Sequence, residues 1–101
     1  MRGIMSDLSK IKLIADEHDL GTILRKTQEE CGELIASIGH FCLGKCDRDA
    51  LVDEIADVSL QLQYILEKMD LYFPVNERKY KKLEKVIKRI ENDNKIKYLI
   101  K

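Results

Sequence analysis

The chain has 101 residues, enough for one domain over 1–101 that buries about two thirds of its unfolded surface. Hydrophobic residues make up 45% and charged residues 36%, with one Pro, five Gly and no Trp, a balance that suits long amphipathic helices and argues against a sheet-rich domain. The formal net charge is zero, yet residues 1–76 carry 8 Lys and Arg against 14 Asp and Glu, while residues 77–101 carry 10 against 4. No apolar run approaches the roughly 18 residues that span a bilayer, so no membrane association is expected. Met1 to Lys10 lacks the apolar core of a signal peptide. Three cysteines are an odd number, unlike the even disulfide framework of a small secreted domain. These features point to a reduced, cytoplasmic protein.

In chain order, the pattern predicts four helices and no strand. Ile4, Leu8, Ile11 and Ala15 form a helical stripe, with Ser6 as its start and a fade at Glu17-His18. Asp19 is placed to cap a second helix of about 25 residues, some 37 Å long, whose apolar face is Ile23, Thr27, Leu34, Ile38 and Phe41. Gly44 suits its end. Gly32 and Gly39 inside it suggest close approach of a neighbouring helix. Asp47 is placed to cap the third helix, where Leu51, Ile55, Val58, Leu62, Ile65 and Met69 recur at the spacing of a buried face. Tyr72-Phe73-Pro74-Val75 interrupts the pattern, because Pro disfavours helix in the residue before it. Asn76 then caps a fourth helix with the stripe Tyr80, Leu83, Ile87 and Ile90. The tail Ile96 to Lys101 is short and partly apolar.

The chemistry is concentrated in two short acidic stretches. Glu30 and Glu33, and again Glu54 and Asp57, stand three apart, hence one turn apart on nearly one helical face. An antiparallel turn through Lys45-Cys46-Asp47 brings the two pairs together, so that four carboxylates share one pocket. Like charges about 6 Å apart at an effective dielectric near 20 repel by about 3 kcal/mol, so such a cluster holds protons or binds cations. Oxygen-only anionic donors suit hard divalent ions, magnesium or manganese ahead of zinc. Along the same edges lie Lys26 and Ser37 on the second helix and Gln61 on the third.

Around these pairs, Lys26-Thr27-Gln28-Glu29-Glu30-Cys31-Gly32-Glu33-Leu34 and Asp53-Glu54-Ile55-Ala56-Asp57-Val58 resemble the two metal-binding helices of MazG-like nucleotide pyrophosphohydrolases. This is the all-α NTP pyrophosphatase superfamily. Lys82-Leu83-Glu84-Lys85, running on to Lys88-Arg89-Ile90, looks like the basic last helix of small, phage-type, single-module members. The resemblance covers residues 20 to 92. It implies an all-α, four-helix bundle-like module and magnesium-dependent hydrolysis of a nucleoside triphosphate to monophosphate and pyrophosphate. It also implies a homodimer or homotetramer, with active sites near the subunit contact. The metal-binding and catalytic set carried over is Glu30, Glu33, Glu54 and Asp57. Manganese is the expected substitute ion. Lys26, Lys82 and Arg89 are the candidate phosphate-binding cations, and Glu29 and Gln61 are expected to support the ligands from outside.

Two other readings share these residues. Phosphoribosyl-ATP pyrophosphohydrolase has similar acidic motifs and length but a different carboxy-terminal ending, and a non-catalytic helical oligomerisation module would use the acidic clusters only as solvating charge. His40, Cys42 and Cys46 lack a fourth partner for a zinc site. His18 reads as an exposed helix-end residue. Nucleic-acid binding is not expected, since the basic last helix offers only Tyr80 and Tyr98 as aromatics and no recognised motif.

Overall fold

The computed structural model describes residues 5–100, with side chains for 5–95. It is all-α, with four helices, α1 (Asp7–Asp16), α2 (Leu20–Cys42), α3 (Arg48–Met69) and α4 (Tyr72–Ile100), and no strand among the described residues. Ile4 of the first stripe lies outside the described residues, as do Lys101 and the side chains of the tail 96–100. The chain forms two compact units, Met1–Leu71 and Tyr72–Lys101.

Each helix of the first unit begins where a short polar side chain satisfies an otherwise unpaired backbone N–H. Ser6 Oγ accepts from the Ser9 N–H at 3.1 Å, Asp19 Oδ1 from Thr22 at 2.7 Å and Asp47 Oδ1 from Ala50 at 2.9 Å. The two hydrogen bonds from Thr22 hold the Asp19 carboxyl below its ordinary range. The helix ends are equally local. α2 closes through Leu43 and then Gly44, whose φ of 72° is the left-handed conformation that favours glycine. α3 closes on Asp70 in the same left-handed region, φ 53°. The last carbonyls of α1 take partners from outside the helix: Ile14 O receives His18 Nδ1–H at 2.9 Å, and Ala15 O receives the Lys68 ammonium of α3 at 3.2 Å.

α3 packs against both α1 and α2. The centre of the unit is small, built on Ile11, Ala15 and Ile23 with the polar side chains Thr27 and Glu30. Thr27 avoids an unpaired hydroxyl by donating to Ile23 O at 2.8 Å and reaching Gln61 Oε1 of α3 at 3.2 Å. Much of the apolar surface expected to be buried is open instead. Ile38, Phe41, Ile55, Leu62 and Met69 are each exposed, and so is Ile35, outside the expected stripes, at 72%. Three helices have too little facing area to cover stripes on both sides of α2 and α3.

The second unit is α4 alone. It starts at Tyr72, four residues before the expected cap Asn76. Pro74 is accommodated because the first turn of a helix needs no N–H from that position. Tyr80, Leu83, Ile87 and Ile90 lie exposed along it. No helix among the described residues is long and apolar enough to cross a membrane.

Gly32 and Gly39 mark no close approach among the described residues, for a Cβ built at either meets nothing within 4 Å. Gly39→Ala is therefore expected to stabilise the chain by about 0.5–1 kcal/mol through helix propensity. Gly44→Ala, forced into the left-handed region, is expected to destabilise it by about 1–2 kcal/mol. Urea denaturation of the two variants checks both signs. A loss of stability in Gly39→Ala would show that a partner outside this chain packs on that face.

Candidate metal centre

Glu30 and Glu33 leave α2 one turn apart, and Glu54 leaves α3 opposite them. Thr27 meets Gln61 while Glu30 and Glu33 meet Glu54, so later positions on α2 face earlier positions on α3 and the helices run antiparallel. Each of the three carboxylates offers an oxygen, and these oxygens lie within 4.8 Å of one another. Glu30 is buried, Glu54 half-buried and Glu33 exposed, so the group is walled on one side and open on the other.

The hydrogen-bond inventory of the trio is incomplete. Glu30 Oε1 takes the Lys26 ammonium at 3.1 Å, one turn earlier on α2. Glu30 Oε2 and Glu54 Oε2 are both buried and have no hydrogen-bond partner among the described residues. Buried polar oxygens without a partner cost about 1–3 kcal/mol each and more when charged, so natural folds rarely leave two together. Protons or a cation answer that deficit. The neighbouring Glu30 carboxylate, with some desolvation and a further push from Glu54, raises the Glu33 carboxyl above its ordinary value. The hydrogen bond to Glu30, helped by Glu29, raises the Lys26 ammonium in turn. Hard oxygen donors, net negative charge and unsatisfied inward oxygens together fit a divalent cation.

Asp57, Glu29 and Gln61 belong to the same unit as the trio but stand outside it. Asp57, one turn after Glu54, is exposed and stands outside the trio. A residue three further along an α-helix is rotated by about 60° from its predecessor, and here that rotation carries Asp57 toward solvent. Glu29 is exposed and lies 3.7 Å from Lys26. Gln61 is held against Thr27, one turn away from the carboxylates. Lys82 and Arg89 are exposed on α4, in the other unit.

A cleft of about 390 Å³ adjoins the carboxylates through Lys26. It is lined by Ile14 and His18 from the end of α1, Thr22, Ile23 and Lys26 from α2, and Gln61 and Tyr64 from α3. Nothing in the sequence pattern singles out Ile14 or Tyr64, and Thr22 reads there only as a first-turn residue behind the Asp19 cap. The only signal available was the four-residue step from Ile14 to His18 and the three-residue step from Gln61 to Tyr64, each placing two residues on one helix face.

Glu33 supplies a pH test of this crowding. Its folded pKa lies above the unfolded one, so the stability gained by binding that proton is complete below the unfolded value and is lost as pH rises through the folded value. In metal-free protein, Glu33→Gln is expected to raise the melting temperature near neutral pH and to have little effect in strongly acidic solution. Thermal melts in chelator across that range check it, and an equal shift at both ends would contradict the crowding.

Residues 18–93 match the family model of the MazG nucleotide pyrophosphohydrolase domain. No curated protein and no solved structure matches the chain. The match runs through the carboxylate trio, His18 and most of α4, and on that evidence the chain belongs to the MazG nucleotide pyrophosphohydrolase family.

Proposed function

We propose that the chain is a magnesium-dependent nucleoside triphosphate pyrophosphohydrolase, releasing a ribo- or deoxyribonucleoside monophosphate and pyrophosphate. The observation that carries this reading is the pair of buried, unpartnered oxygens, Glu30 Oε2 and Glu54 Oε2, inside a three-carboxylate cluster. Family membership supplies the reaction class, and the donor chemistry favours magnesium, with manganese as a substitute. A divalent ion bound there would neutralise phosphate charge and polarise the phosphoanhydride that breaks.

The residues have separate tasks in this scheme. Glu30, Glu33 and Glu54 hold the ion, and Asp57 completes the set by a change of rotamer. Lys26 lies between the trio and the cleft, so its ammonium serves a phosphate oxygen once an ion takes over the charge of Glu30. Gln61 steadies α2 against α3 through Thr27, and Glu29 tempers Lys26. The open apolar faces of α2 and α3 fit a homodimer or homotetramer, in keeping with a cytoplasmic enzyme whose partners are nucleotides and its own copies.

Incubation with a panel of nucleoside triphosphates and magnesium, followed by chromatography, is expected to yield monophosphate and pyrophosphate. Glu54→Gln is expected to lower turnover by about a hundredfold or more, and Asp57→Asn measures whether the fourth carboxylate binds the ion. Release of orthophosphate alone, or no turnover of any nucleotide, would overturn the proposal. Independently, magnesium is expected to raise the melting temperature of the wild type and not of the combined Glu33→Gln and Asp57→Asn variant. A melting temperature indifferent to magnesium would instead fit a helical interaction module.

A further inference from the structure

The cleft beside the carboxylates has its own chemistry. Its walls are apolar at Ile14 and Ile23 and aromatic at Tyr64, surfaces that suit a flat heteroaromatic ring. His18 brings one polar atom whose role is fixed. Its Nδ1 lies 2.9 Å from the Ile14 carbonyl, and a carbonyl can only accept, so Nδ1 carries the proton. In the neutral ring, Nε2 is then left as an acceptor. The cleft shares one residue, Lys26, with the surroundings of the candidate metal centre. Lys26 lines it and pairs with Glu30, and on α2 the step from Ile23 to Glu30 is two turns, about 10 Å. A ligand with a ring in the cleft and a phosphate chain at the carboxylates spans that distance through a sugar.

We infer that the cleft between α1, α2 and α3 binds the nucleoside half of the substrate, with His18 Nε2 accepting a hydrogen bond from an N–H on the edge of the base. This assignment rests on the pyrophosphohydrolase reading for its phosphate half only. The ring end is argued from the cleft itself. His18 is thereby a specificity-determining residue. It favours a base that presents a donor and disfavours an analogue that presents an acceptor there, because an acceptor facing Nε2 leaves both unpaired.

The test separates the two readings. The full chain, with labelled histidine and chelator present, is titrated with adenosine, guanosine, cytidine, uridine and thymidine, none of which carries phosphate. At least one is expected to shift the His18 Nε2 resonance saturably, while His40, near the far end of α2, stays still as an internal control. In parallel, His18→Ala is expected to raise KM for the preferred triphosphate by about tenfold or more with kcat within about twofold. Nucleosides that leave His18 unmoved, or a KM unchanged in His18→Ala, overturn the cleft assignment even if the wild type hydrolyses triphosphates. A saturable His18 shift without turnover of any triphosphate upholds the cleft and overturns the hydrolase reading instead. Because the titration uses the wild type, a poorly folded variant does not blunt it.

Discussion

Negative charge that the fold has taken out of water, without giving it enough hydrogen bonds, is the constraint on which the first unit depends. Glu30 sits in the small core beside Thr27 and Ile23, where a typical domain would place an aliphatic side chain. One of its oxygens is served by Lys26 and the other by none of the described residues. Glu54 repeats the deficit from the facing helix. An arrangement of this kind is unfavourable in isolation and becomes favourable when a cation is shared.

Holding the carboxylates together requires a fixed register between α2 and α3, and the local chemistry of the chain supplies it. Asp19 and Asp47 decide where the two helices start, and Gly44 turns the chain between them. The Thr27 to Gln61 contact then ties the helices one turn away from the trio. A slip of one residue along α3 would rotate Glu54 by about 100° and disperse the cluster. Lys68, reaching from α3 to the Ala15 carbonyl, sets the end of α1 in the same frame and so places His18 at the cleft.

Features governed by near neighbours in the chain were legible in the sequence. The caps Ser6, Asp19 and Asp47, the left-handed Gly44 and the convergence of Glu30, Glu33 and Glu54 all follow from rules that act within a turn or across one tight connection. Features set by crossing geometry were not. Whether Asp57 faces the trio depends on how α3 is rotated about its axis, which an i, i+3 spacing leaves open by a quarter of a circle or so. Asn76 was misjudged as a cap because Pro74 reads as a breaker, although a first turn tolerates it. The cleft was invisible because three separate helices contribute its walls, none with a motif of its own. The apolar stripes on α2 and α3 were read correctly as stripes, yet a periodic pattern says nothing about whether this chain or another one covers them.

Lys26 has a consequence that reaches beyond charge balance. It is a monovalent counter-ion tethered to the backbone, and it occupies Glu30 Oε1 at 3.1 Å while also bordering the cleft. On the proposed reading, a divalent ion that claimed Glu30 would release this tethered charge toward the cleft. Binding of the ion and of an anionic ligand would then be linked through a single side chain, and thermodynamic reciprocity would have each tighten the other by the same factor. Such coupling would need no moving domain, only one lysine that cannot serve both at once.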